Sequence, residues 1–191
     1  MSNPPSQPTD DTFDFAKTGF IQTPPPTPEQ AEQAQEEAAV GAPLLEHAGF
    51  YVAMARRSPV RIPPRNGEKH AILVVEDDAD LAQLVIDVFM NAGFEMRWAS
   101  NRAEINAQLH RRPAVDLVLM DIRLPDANGL QVLQCIRGHP VLGGLPVIMM
   151  TGMATAEDVA AGLLSGANGY VTKPFKMSGL VKAVNEVLGN V

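Results

Sequence analysis

The chain has 191 residues, with 15 basic and 22 acidic side chains and a formal charge of −7. That length suits one ordinary domain with an appendage, and an acidic balance without a basic stripe argues against direct nucleic-acid binding. A single cysteine, Cys135, excludes an intramolecular disulfide and fits a reducing compartment.

Residues 1–67 hold eleven of the 16 prolines and few large aliphatics, so they read as a mostly disordered extension. Phe13, Phe15 and Phe20 among acids and glycine look like a docking motif, and Thr23–Pro28 is a Pro-rich spacer. After the Gln/Glu/Ala run Glu29–Ala39, a short helix is expected near residues 44–55, followed by Arg56, Arg57, Arg61 and Arg65. A flexible linker is the first reading of this stretch, a segment docking on the folded domain or a partner the second, and an anionic membrane contact the third. Pro43, Glu46 and His47 interrupt the apolar stretch 38–55, which is too short to span a bilayer. The amino terminus lacks a basic n-region followed by an apolar h-region, so a soluble, cytoplasmic protein without stable membrane insertion is expected.

From residue 68 onward, strand and helix patterns alternate five times. Ala71–Val75 suits a buried strand, and Leu81, Leu84, Val85, Val88 and Phe89 repeat as one face of an amphipathic helix. Gly93 fits its left-handed cap. Residues 94–99 form a less apolar strand nearer an edge, and residues 101–110 a weak helix with Ile105 and Leu109 inward. Residues 115–120, apolar apart from Asp116, read as a strand covered on both faces. A helix over 129–137, a strand over 145–150, a Thr155-capped helix to Ser165, a strand over 168–172 and a helix with Leu180, Val184, Val187 and Leu188 inward complete the pattern. Five βα units with short connections imply a five-stranded parallel sheet inside a three-layer α/β/α sandwich.

The strands end on polar residues: Glu76, Asp77 and Asp78 after the first, Asp121 after the third, Thr151 after the fourth and Lys173-Pro174 after the fifth. A parallel sheet gathers those ends on one edge, where open α/β folds place their sites. Clustered carboxylates call for a hard, oxygen-preferring cation; Mg²⁺ takes one or two of them together with phosphate oxygens. A lysine alongside offsets phosphoryl charge. No Gly-rich dinucleotide fingerprint, Walker A sequence or zinc-spaced His/Cys cluster competes with this reading.

In this order and spacing, the Glu76-Asp77 pair, Asp121, Thr151, Lys173-Pro174 and the loop 121–129 resemble the receiver domain of two-component response regulators, over residues 69–191. The resemblance implies a flavodoxin-like fold with strand order 2-1-3-4-5, and a division into an extension, 1–67, and a receiver, 68–191. It implies that Asp121 accepts a phosphoryl group from a histidine kinase or histidine phosphotransferase. Glu76, Asp77, Asp121 and the backbone carbonyl of Arg123 would hold Mg²⁺, Glu76 through a metal-bound water. Lys173 and Thr151 would contact the phosphoryl oxygens, and Thr151 and Tyr170 would form the switch. Met153, bulky and two residues after Thr151, is expected to hinder water and lengthen the phosphoryl lifetime, while Gly152 leaves the site open.

The expected function is that of a response regulator signalling through protein contacts, since no second module follows Val191. It would catalyse only its own phosphorylation and dephosphorylation, rather than act as an enzyme on a separate metabolite. Its output partner is not named by the sequence, and a homodimer through the fourth helix, last strand and last helix is one option. A phosphorelay intermediate or phosphate sink is the first alternative. An aspartate-nucleophile phosphohydrolase is the second, disfavoured because Arg123 stands where that family needs a second acid.

Overall fold

A computed structural model describes residues 26–53, 61–65, 67–152 and 155–190. The elements in chain order are α1 (Pro28–Ala48), β1 (Phe50–Val52), β2 (Ala71–Val75), α2 (Ala79–Asn91), β3 (Glu95–Ala99) and α3 (Arg102–His110). They continue with β4 (Leu117–Asp121), α4 (Gly129–Gly138), β5 (Val147–Thr151), α5 (Ala156–Ser165), β6 (Gly169–Thr172) and α6 (Met177–Leu188).

The five expected βα units are all present. Their strands pair in parallel in the order β3-β2-β4-β5-β6, with register pairs such as Val75↔Met120 and Thr151↔Thr172 aligning the carboxyl ends. β2, β4 and β5 are buried along their whole length because helices cover both faces. The less apolar β3 lies at the edge of the sheet, as its composition suggests. Side chains alternate across the sheet, so the core has two halves. Val118, Met120, Leu133, Ile136 and Tyr170 belong to one, and Ile72, Val74, Phe89, Leu119 and Val184 to the other.

Local capping follows from residue type, and the expected Thr155 cap is joined by two that were not expected. Asp78 accepts from the backbone N–H groups of Asp80 and Leu81, which makes it the cap of α2. Asn101 and Thr155 cap α3 and α5 in the same way. Gly93 has φ +92° in the turn before β3.

Two expectations are corrected. The sheet has six strands, not five, because β1 adds an antiparallel strand beside β6, pairing Tyr51 with Tyr170. Among the described residues of the extension, the helix is long and lies earlier than the short one expected near 44–55. Residues 28–48 form a 21-residue helix, and residues 50–52 are strand. Thr27 and Gln30 cap α1 reciprocally, Pro28 occupies its first turn, and Gly49 ends it at φ +77°. Pro43 lies inside this helix, where proline ordinarily costs about 3 kcal/mol. The helix persists because packing holds it: Ala34, Ala38, Gly41 and Leu45 repeat along one buried face. Phe13, Phe15, Phe20, Arg56, Arg57 and Met153 lie outside the described residues.

The amino ends of the strands are closed by residues 61–65. Asp116, fully buried just before β4, accepts from the N–H of Arg65 at 3.1 Å and from the N–H of Ala71 at 2.9 Å. The Arg65 guanidinium stands 3.6 Å from the same carboxylate. His70 Nε2 hydrogen-bonds the Ile62 carbonyl at 2.7 Å, and Ile62 N–H donates to the Leu188 carbonyl.

Candidate phosphoryl-transfer site

The carboxyl ends of β2, β4, β5 and β6 bring Glu76, Asp121, Thr151 and Lys173 to one edge, as the strand alignment requires. Lys173 Nζ donates to Glu76 Oε2 and to Asp121 Oδ2, both at 2.6 Å. Glu76 is 2% exposed and Asp121 7%, whereas Asp77 projects into solvent. Carboxylate oxygens of Glu76, Asp77 and Asp121 all lie within 4.8 Å of one another. An all-oxygen, multiply charged set of this kind fits a hard divalent cation such as Mg²⁺.

The backbone fixes these groups. Asp121 Oδ1 accepts from the Arg123 N–H at 3.0 Å, which leaves Oδ2 to the lysine. The loop after β4 then folds back: Leu124 N–H donates to the Ala127 carbonyl and Gly129 N–H to the Ile122 carbonyl. A Cβ at Gly129 would stand 2.1 Å from the Asp121 carbonyl oxygen, so only glycine permits this close return. Lys173 N–H bonds the Thr151 carbonyl, and the cis peptide to Pro174 follows. The exposed Arg123 side chain passes over Gly152, where an added Cβ would meet its Nη2 at 3.4 Å.

Electrostatics couple the buried groups. Burial pushes the Glu76 carboxyl above its ordinary value, and Asp121 adds to this, while the hydrogen bond and charge of Lys173 oppose it. Burial works against the Lys173 charge, but the hydrogen bonds and charges of Asp121 and Glu76 outweigh it, so its pKa is raised. The lysine therefore stays an ammonium facing two acids.

Of the expected residues, Glu76, Asp77, Asp121 and Lys173 are brought together. Thr151 is buried at the end of β5, and Tyr170, on β6, is 1% exposed with its ring inward. Sequence reasoning missed two supporting residues. Trp98 Nε1–H donates to the Glu76 carbonyl at 2.9 Å across the β2–β3 pair, and Gly129 holds the loop against Asp121. A lone tryptophan on an edge strand gives no pattern, whereas Gly129 had a signal in its place at the close of the 121–129 loop.

Residues 72–185 match the model of the response regulator receiver domain. The chain belongs to that family. It is 38% identical over 117 residues to the DNA-binding response regulator MtrA of Mycobacterium tuberculosis strain H37Rv, covering 61% of this chain and 49% of MtrA. It is 34% identical over 120 residues to the phosphate regulon transcriptional regulatory protein PhoB of Escherichia coli K12, covering 63% and 52%. The chain thus spans about half the length of the curated relatives it matches. Among solved structures, the non-phosphorylated HemR receiver domain of Leptospira biflexa superposes with a TM-score of 0.57 at 31% identity, over 63% of this chain and 94% of that one. The chemotaxis protein CheY4 of Vibrio cholerae gives 0.59 at 26% identity, over 63% and 99%. Both matches cover nearly the whole of the other chain, so the superposed unit is the receiver, and about a third of this chain lies outside it. Among the described residues, no helix is long and apolar enough to cross a membrane.

Proposed function

We propose that this response regulator takes a phosphoryl group onto Asp121 from a histidine kinase or histidine phosphotransferase and signals through protein contacts. The observation that carries the reading is Lys173 held at 2.6 Å from both Asp121 and Glu76, with Asp77 beside them. Asp121 Oδ attacks the phosphorus of a phosphohistidine; a P–O bond forms, the P–N bond breaks, and the imidazole leaves with the electron pair and takes a proton. The Lys173 ammonium and the Thr151 hydroxyl offset charge on the phosphoryl oxygens. Glu76, Asp77, Asp121 and the Arg123 carbonyl would hold Mg²⁺, which when bound neutralises charge between the acids and the phosphoryl group. Hydrolysis then returns the Asp121 carboxylate and inorganic phosphate as water attacks phosphorus. The chain acts on itself alone in these steps and is not an enzyme for a separate metabolite.

The division into an extension, 1–67, and a receiver, 68–191, belongs to this reading, as does a cytoplasmic location. Output runs through the face of α5, β6 and α6, by a shift in a pre-existing equilibrium rather than by contact with nucleic acid. MtrA is described as DNA-binding; in this chain the acidic balance favours a protein partner. Incubation of the full chain with Mg²⁺ and acetyl phosphate, followed by intact-mass measurement, tests the reading. One phosphoryl group is expected on the parent and none on Asp121→Asn or after chelation of Mg²⁺. An unmodified parent would sink the proposal.

A further inference from the structure

The face assigned to output is already covered by the chain itself. α1 lies along α5, and β1 extends the sheet beyond β6 while touching α6. The buried positions of α1 are mostly small (Ala34, Ala38 and Gly41), which allows close approach to α5, and Leu45 is fully buried at the end of that stripe. Tyr51 of β1 stands opposite Tyr170 of β6. Its ring packs on Gly41, where a Cβ would lie 2.8 Å from the ring, and its hydroxyl donates to Glu37 of α1 at 3.0 Å. Tyr170 reaches toward α5: a Cβ at Gly162 would stand 1.3 Å from its hydroxyl oxygen. On its other side β6 pairs with β5, which ends at Thr151 of the site. Tyr170 stands beside Met149, two residues before Thr151 on β5, and opposite Tyr51, so one half of the core runs from the strand that ends at the site to β1 and α1.

We infer that α1 and β1 form an intramolecular cap on the α5–β6 face and that phosphorylation of Asp121 weakens its docking. This rests on the phosphoacceptor reading above. A partner cannot read a face buried under α1 and β1, so output through that face requires the cap to leave. The cap is also suited to leaving. It is attached by one three-residue strand and one stripe of mostly small side chains, elements that contribute less burial than the central strands and so open at lower free energy. A bound group shifts such an equilibrium only by its differential affinity for the two states, and the run of paired strands β5, β6 and β1 is where that difference arises. Linkage is reciprocal, so loosening the cap must favour loading of the site.

Amide hydrogen exchange on the full chain tests this, comparing Mg²⁺ alone with Mg²⁺ plus beryllofluoride, a stable phosphoryl mimic. Amides of residues 28–52 should exchange at least about tenfold faster with the mimic, equivalent to a coupling within the ordinary allosteric range. Site loading is read separately by fluorescence of Trp98, the single tryptophan, bonded to the Glu76 carbonyl. A loaded site with unchanged or slower exchange in 28–52 overturns the inference and leaves the phosphoacceptor reading standing. Absence of loading, with no phosphoryl group by mass, overturns both. In the full-length Gly41→Val variant, bulk forced against Tyr51 should speed exchange of α1 without the mimic and lower the beryllofluoride concentration needed for half-saturation several-fold. Faster exchange without easier loading would overturn the coupling. If that variant does not fold, the exchange of the parent decides the matter alone.

Discussion

Two buried aspartates bracket β4 and have opposite surroundings. Asp116, at the amino end, is fully buried and accepts backbone N–H bonds from Arg65 and Ala71 on its two oxygens. Asp121, at the carboxyl end, receives one backbone N–H and otherwise faces a lysine and two further acids. Asp116 is saturated by groups that cannot move without unfolding the linker and the start of β2. Asp121 is held by a side chain that can turn to a new anion. Burial alone does not distinguish an acid locked by backbone donors from one held by a side chain; the identity of the hydrogen-bond donors does.

Substitutions should separate the two ends, most sharply at Asp121. Asp121→Asn should bring phosphorylation by acetyl phosphate to background, read by intact mass, while the fold persists by circular dichroism. Next in size, Lys173→Met removes the ammonium bonded to both Glu76 and Asp121. Phosphorylation should slow by roughly 10²-fold, the scale of deleting one preorganised donor. Stability at neutral pH should fall by about 1–3 kcal/mol by urea titration, less than for a fully buried pair because the lysine side chain is 22% exposed. Asp116→Ala should do the reverse, leaving two amides without their acceptor. A loss of about 2–4 kcal/mol is expected, with a melting point lower by roughly 2–4 °C per kcal/mol, and phosphorylation per folded molecule unchanged. If Asp116→Ala also abolished phosphorylation in the folded fraction, the contrast between the two ends would be wrong.

A smaller effect concerns protonation. Glu76 should titrate above its ordinary 4.5, because burial favours its neutral form, and Lys173→Met should raise it further. The stability contributed by the raised value is fully present below 4.5 and is lost as pH rises through the folded-state pKa. Side-chain carboxyl resonances followed by NMR against pH would check both signs; a titration at or below the ordinary value would refute the burial argument. The smallest expectation is for Cys135, 7% exposed, whose thiol is pushed up by burial. It should react slowly with an aromatic disulfide at pH 8 until the chain unfolds.

Much of the receiver was legible in the sequence because its signals are local. Val74 and Val75 leading to Glu76, and Met120 leading to Asp121, mark where buried strands end, and parallel pairing then forces those ends together. The weak helix with Ile105 and Leu109 inward and the edge position of β3 also follow from short-range pattern. The sixth strand did not show, because three residues, Phe50–Val52, carry no periodicity of their own. Nor did α1, whose buried stripe of Ala34, Ala38 and Gly41 has the composition of a disordered Gln/Glu/Ala run and includes a proline at 43.

By itself, then, the sequence determined the five βα units, the edge on which the candidate site residues meet, and the residue types meeting there. These depend on periodicity and chain direction, which act over a few residues. Only the tertiary structure decided that Asp116 is satisfied by Arg65 and Ala71, that Lys173 bridges Glu76 and Asp121, and that α1 and β1 cover α5 and β6. Each of those outcomes joins segments that are distant along the chain. Close packing and the donors available at each buried carboxylate select them, and neither quantity is carried by any short stretch of residues.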